Sequence, residues 1–250
     1  MTDSKKYTSK LSNSRVLIIG GSSGLGFAVA EACLESGALV AISSSNPHRI
    51  NTAIEKLQSS YPSAVARIHG IPVDLSKPET LDKDLERLFQ VTMQKIGGEE
   101  GKLDHVVFTA ADALSMMKIE ELTPESIVKA GQMRFVAPLM TAKYCFRYLV
   151  PSHKSSYTIT TGAISEKPVP NWSIIASYAG GHHSMVRNLA LDLKPVRVNG
   201  VSPGVVDTEL WRMGKEDKDM FLRECEEHMC TRVAGQPEDV AESFLVCLRD

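Results

Sequence analysis

The sequence predicts an α/β domain: a doubly wound parallel sheet with helices on both faces. Three observations carry that prediction. A short apolar run at residues 16–19 meets a glycine-rich turn, Gly20-Gly21-Ser22-Ser23-Gly24-Leu25-Gly26, and then a helical stripe of Ala28, Val29, Cys33 and Leu34 that stops at Gly37. Short apolar runs and helical stretches then alternate through residue 109, the pattern of parallel strands joined by crossover helices. The 250 residues suit one such domain with a full core and would cramp a second.

Each element can be read in turn. The glycine turn leads straight into a helix N-terminus, where unpaired N–H groups and the positive dipole end favour an anion and glycines let a phosphate approach the backbone. Its spacing is Gly-x3-Gly-x-Gly; a plain tight connection is the alternative reading. A second strand spans 38–43 and ends in Ser44-Ser45-Asn46-Pro47. Helix follows over 51–60, then strand over 65–73, closed by Asp74-Leu75-Ser76. Asp74 suits either a pocket at that strand end or an N-cap for the segment from Lys77. An amphipathic helix at 81–96, a flexible turn at 97–101 and a strand at 104–109 complete the first half. One long helix covers 124–149, a strand covers 156–161, and a further helix ends at Leu193. Residues 238–249 form the last helix.

Composition excludes several classes. Hydrophobic content of 43% and charged content of 23% are ordinary for a globular domain. The net charge of −2, without a basic block, argues against nucleic acid or an anionic membrane as partner. No apolar run approaches membrane-spanning length. Residues 1–12 read as a flexible polar arm rather than a secretory signal. The five cysteines show no paired framework, which points to reduced thiols and a cytoplasmic location. Cys225-x2-His228-x-Cys230 has the look of metal spacing, but no further ligands accompany it, so no metal is expected.

The glycine spacing, Asp104 before the fourth strand, residues 185–193 running without gaps into 196–204, and Pro203-Gly204-x3-Thr208 together resemble the short-chain dehydrogenase/reductase family. The resemblance covers nearly the whole chain. It implies a Rossmann-type domain over 13–250, a substrate lid at about 207–231, a homodimer or homotetramer, and a nicotinamide cofactor. The cofactor would be held by Gly20, Ser22, Ser23, Gly24, Leu25 and Gly26, by Ser44, Ser45 and Asp74, by Ala110 and Ala111, and by Pro203, Gly204, Val206 and Thr208. An acid at the end of the second strand would select NAD by gripping the ribose hydroxyl. Ser44 and Ser45 stand there instead, with Arg49 nearby, so NADP(H) is expected. The family's last strand would follow residue 249, so the sheet is expected to lack one edge strand if none is present.

The departures from the family pattern bear on chemistry. Its Asn-Asn-Ala-Gly stretch is Phe108-Thr109-Ala110-Ala111 here. Arg134 stands at the asparagine of the catalytic tetrad and Thr161 at the serine. Ile175 and Ala179 stand at the tyrosine and lysine. Tyr178 with His182, one turn on, is the alternative pair if the register slips; otherwise His182 and His183 read as helix-surface and interface residues. Arg134 is expected to face the cofactor's ribose and phosphate. Pro168-Val169-Pro170-Asn171-Trp172 is similar to a Pro-Asp-Pro-Gly-Trp motif of fungal specialised-metabolism members, among them bifunctional reductase/Diels–Alderases of indole alkaloid pathways, with Val169 replacing the acid. The catalytic candidates are therefore Arg134, Thr161, Trp172 and Tyr178. Trp211, Met213, Met220, Phe221 and Met229 make the lid apolar enough for a bulky small-molecule substrate. Three functions remain open: an NADPH-dependent reductase of an iminium-like electrophile, a pericyclase or isomerase with structural NADP(H), and a non-catalytic cofactor-binding protein.

Overall fold

The computed structural model describes residues 6–99 and 101–249. Its centre is a six-stranded parallel sheet in the order β3-β2-β1-β4-β5-β6. The strands are β1 (Arg15–Ile19), β2 (Leu39–Ser44), β3 (Ile68–Pro72), β4 (His105–Phe108), β5 (Ser156–Thr160) and β6 (Arg197–Val201). The helices are α1 (Gly24–Glu35), α2 (Pro47–Ser60), α3 (Leu81–Ile96), α4 (Pro124–Gly131), α5 (Ala137–Tyr148), α6 (Ser173–Asp192), α7 (Lys215–Glu227) and α8 (Pro237–Arg249).

Successive residues of β1 feed opposite cores, as the two-residue period of a strand requires. Leu17 and Ile19 join Leu85, Phe89, Tyr144 and Tyr157 on one face, where α3, α5 and α6 pack. Val16 and Ile18 join Val29, Leu57, Phe244 and Leu248 on the other, under α1, α2 and α8. Because β1 pairs with β2 on one side and β4 on the other, the chain reverses its winding there. The crevice at the carboxyl ends of β1 and β4 is thus the topological switch point where such sheets bind ligands.

Four expectations are corrected. The strand expected from residue 65 starts at Ile68, because Pro62 opens a 3-10 turn over Pro62–Arg67 that leaves Val65 exposed. The single helix expected over 124–149 is broken by a π-helical segment at Gln132–Val136. The polar arm ends before residue 12: Leu11 is buried in the α1–α8 core, and Asn13 N–H donates to the Gly37 carbonyl at 2.9 Å. Residues 1–5 of the arm lie outside the described residues. Asp74 does not cap a helix; its Oδ1 accepts from Ser76 N–H at 3.0 Å and Ser76 Oγ at 2.7 Å, closing a tight turn, while α3 begins at Leu81. Among the described residues β6 is the edge of the sheet.

The base of the sheet is tied by charge. Arg15 Nε and Nη2 donate to the two carboxylate oxygens of Asp104 at 2.9 and 3.1 Å, and Arg15 N–H donates to Oδ2 at 2.8 Å. One residue on, His105 is buried between β1 and β5, its Nδ1 2.9 Å from the Ser156 hydroxyl. Burial pushes His105 down to about 4; the Asp104 charge opposes this and Arg197 adds to it.

The unfolded chain therefore binds a proton at His105 that the folded chain rejects between about pH 6.5 and 4. This contribution to stability is full above pH 6.5 and is lost as pH falls through that window, amounting to about 3 kcal/mol. Urea midpoints measured from pH 4 to 8 should fall with acidification in the wild type, and His105→Gln should remove that part of the slope.

Candidate functional site

The glycine turn is shaped by contacts that leave no room for side chains. A Cβ on Gly20, at φ +96°, would lie 2.5 Å from the Ala110 backbone nitrogen, and one on Gly26 would lie 2.3 Å from the Gly20 carbonyl oxygen. Helix α1 thus starts hard against β1 and the end of β4, and only glycine permits that approach. Ser23 occupies the N-cap in extended conformation and makes no side-chain hydrogen bond to the helix, and the first turn holds no acidic residue. The N–H groups of that turn remain unclaimed by a side-chain cap, which fits a pyrophosphate with Ser22, Ser23 and Leu25 around it. Ala111 follows Ala110 along the same wall.

Other predicted contacts gather at the rim. Ser44 ends β2 half-buried and Ser45 is exposed beyond it, with Asn46 Oδ1 accepting from Arg49 N–H at 3.1 Å to cap α2. No acid stands at this strand end. The loop after β6 returns to the glycine turn: Thr208 lies 3.4 Å from where a Gly24 Cβ would be, and its Oγ1 accepts from Leu210 N–H at 3.4 Å. The Val206 carbonyl holds Trp211 Nε1–H at 2.8 Å. A Cβ on Gly204, which follows Pro203, would meet nothing within 4 Å.

Arg134 is turned to a different use from the one expected. Its Nη2 donates to the Asp112 carbonyl at 2.8 Å and the Ala113 carbonyl at 3.3 Å, and lies 3.2 Å from Asp112 Oδ1. The guanidinium therefore grips the segment after β4. Asp112 itself was not singled out by the sequence, since an acid in a loop has no periodicity to betray it. Burial raises its carboxyl above the usual range, and Arg134 opposes the shift.

Tyr178 is also committed elsewhere. Its hydroxyl donates to the Ile127 carbonyl of α4 at 2.9 Å, and its ring packs on Gly131, where a Cβ would lie 2.4 Å from the hydroxyl oxygen. His182 is buried, not on the surface; its ring lies parallel to Phe135 with centroids 6.5 Å apart, and its Nε2 bonds the Arg134 carbonyl. His183 remains half-buried, 3.0 Å from the Ser165 hydroxyl. Tyr178 and His182 do share a helix face, but that face turns to α4 and the π-helix. Ile175 and Ala179 are buried in α6.

Thr161 sits just past β5, and its Oγ1 is buried with no hydrogen-bond partner among the described residues. It lines a cavity of about 140 Å³ together with His182, Val186 and Gly200. Trp172, at the start of α6, meets Trp211 at 6.4 Å between ring centroids, and Trp211 meets Phe221 of α7 at 4.6 Å. Met117 N–H donates to the Asn171 carbonyl at 2.9 Å, which ties the segment after β4 to the stretch before α6. Trp172, Trp211 and Phe221 thus form one aromatic cluster.

A family model described as an SDR-like Rossmann domain matches residues 7–250. The chain belongs to the short-chain dehydrogenase/reductase family. It is similar to the short-chain dehydrogenase/reductase fsr5 of Gibberella fujikuroi, 45% identical over 248 residues, 98% of this chain and 92% of that protein. It is also similar to the short-chain dehydrogenase/reductase malC of Malbranchea aurantiaca, 35% identical over 252 residues, 100% of this chain and 94% of that protein. The solved structure of the MalC reductase/Diels-Alderase from Malbranchea aurantiaca superposes with a TM-score of 0.89 at 34% identity, covering 99% of this chain and 93% of that one. Membership of this family implies a nicotinamide cofactor.

The contacts at the glycine turn make a sharp contrast testable. Gly20→Ala should lose folded stability by about 2 kcal/mol or more, through clash and a disfavoured φ, whereas Gly204→Ala should melt as the wild type does. Thermal denaturation of the two variants side by side checks this.

Proposed function

We propose that the protein is an NADPH-dependent reductase acting on an activated, iminium-like electrophile in fungal specialised metabolism. The observation that carries the reading is a division of the site. The glycine turn packs too closely at Gly20 and Gly26 for any side chain, which supports a phosphate site, while the tyrosine hydroxyl on α6 is spent on the Ile127 carbonyl. Support also comes from the relatives, one of which is named a reductase/Diels-Alderase.

Bound NADPH would supply a hydride. The turn from Gly20 to Gly26 would hold its pyrophosphate, and Ser44 and Ser45 would accept the 2′-phosphate that an acid would repel. Pro203, Gly204, Val206 and Thr208 would hold the nicotinamide end, and Asp74 the adenine side. Trp172 and Trp211 would form a wall for the substrate, and α7 the cover over it. Hydride addition to an iminium carbon sends the C=N electron pair to nitrogen and yields a neutral amine, so no proton has to arrive in that step. A ketone would need one, and a positioned acid is worth about 10²–10⁴-fold. The paired Asp112 offsets the Arg134 charge, so a cation can enter without facing a bare guanidinium.

The aromatic wall also supports a second reading, in which the pocket mainly orients a substrate for cycloaddition. Val169, at the acid position of the related motif, is exposed and offers no proton, so the reductase reading ranks first.

Two measurements test the proposal. NADPH should bind tighter than NADH by cofactor fluorescence, and Ser45→Asp should weaken NADPH about tenfold while sparing NADH, the scale of one charge repulsion. In NADPH-oxidation assays, N-alkyl cyclic iminium ions should turn over while simple ketones fall below them by about 10²-fold or more. Equal cofactor affinities, or brisk ketone reduction that vanishes in Tyr178→Phe, would overturn this reading.

A further inference from the structure

Pro138 follows Arg134 by four residues, so the N–H that an α-helix would offer to the Arg134 carbonyl does not exist, and the proline ring crowds that carbonyl. The chain answers with the π-helical segment Gln132–Val136, in which Ala137 N–H donates to the Gln132 carbonyl five residues back. The displaced Arg134 carbonyl is met by His182 Nε2. A carbonyl only accepts, so Nε2 carries the hydrogen and His182 is held in one tautomer. One turn earlier on α6, Tyr178 Oη donates to the Ile127 carbonyl at 2.9 Å. Phe135 lies between the two, 5.8 Å from Tyr178 and 6.5 Å from His182 by ring centroids. The two α6 side chains thus bracket the bulge from its α4 side and its α5 side.

What the bulge presents is Arg134. Its side chain holds the carbonyls of Asp112 and Ala113. That segment continues from Ala110, whose backbone nitrogen closes against Gly20 of the phosphate turn. Hydrogen bonds therefore run from α6 through the π-helix to residues 112 and 113, and the backbone carries the path on to Ala110 beside Gly20.

We propose that Tyr178 and His182 are positioning residues whose hydrogen bonds to α4 and the π-helix set Arg134, and through it the segment after β4, beside the cofactor crevice. The link to cofactor affinity rests on the reading of that crevice as an NADPH site. The positioning itself does not, since it concerns contacts within the chain.

The test measures hydrogen exchange over residues 110–118 and NADPH affinity on the full chain. The variants are Tyr178→Phe, His182→Leu, His182→Gln, Arg134→Met, and each of Tyr178→Phe and His182→Leu combined with Arg134→Met. Losing either hydrogen bond should speed exchange over 110–118 about fivefold, and NADPH should bind more weakly by a similar factor. His182→Gln, which keeps a donor for the Arg134 carbonyl, should recover both values. In the Arg134→Met background neither second substitution should add anything, because each acts through Arg134. Effects that add in the double variants, or exchange over 110–118 that stays at the wild-type rate, would overturn the proposal. If His182→Leu fails to fold, Tyr178→Phe alone and with Arg134→Met decides the same question. If the wild type does not bind NADPH, the cofactor reading falls, and the exchange data still judge the positioning.

Discussion

The structure depends on one close approach, that of α1 to the ends of β1 and β4. Gly20, Gly26, Thr109 and Ala110 meet there at distances that exclude any side chain on either glycine. Because the approach is so tight, α1 starts directly against the ends of β1 and β4. The order of the sheet, the open first turn of α1 and the placement of the Thr208 loop all converge on the crevice between those strands. An ordinary strand-to-helix turn would keep the layers of the fold and lose this approach of helix to strand ends.

Much of this was legible in the sequence because it has a period or a punctuation mark. Apolar runs announced β1, β2 and β4, the glycines announced the turn, and β6, whose residues alternate with polar ones, was not singled out as a strand. The positions that misled are those whose partners come from elsewhere in the chain. Val65 has strand propensity, yet Pro62 upstream imposes a 3-10 turn. Leu11 sits in polar sequence, yet α1 and α8 bury it. Tyr178 and His182 carry the residue types of an acid–base pair, but their targets, two backbone carbonyls, leave no mark in a sequence. The one signal that could have found them is Pro138, placed four residues after Arg134. Asp112 had none.

Arg134 shows how a charged side chain inside a helix can serve the chain's own packing. Its guanidinium is paired with Asp112 in the segment after β4. Its charge is met by Asp112 and two carbonyls, so the guanidinium braces the segment after β4.

Pro138 has a consequence for how this site can change over generations. A proline inside a helix leaves its upstream carbonyl needing a donor, and here the donor sits on another helix. The fitness of residue 182 is therefore conditional on residue 138, that of residue 131 on the hydroxyl of residue 178, and that of residue 112 on residue 134. Substitutions at such positions therefore settle only together with their partners. Ile175 and Ala179 lie buried on the same helix, so larger side chains there would have to be taken up by the packing around α6.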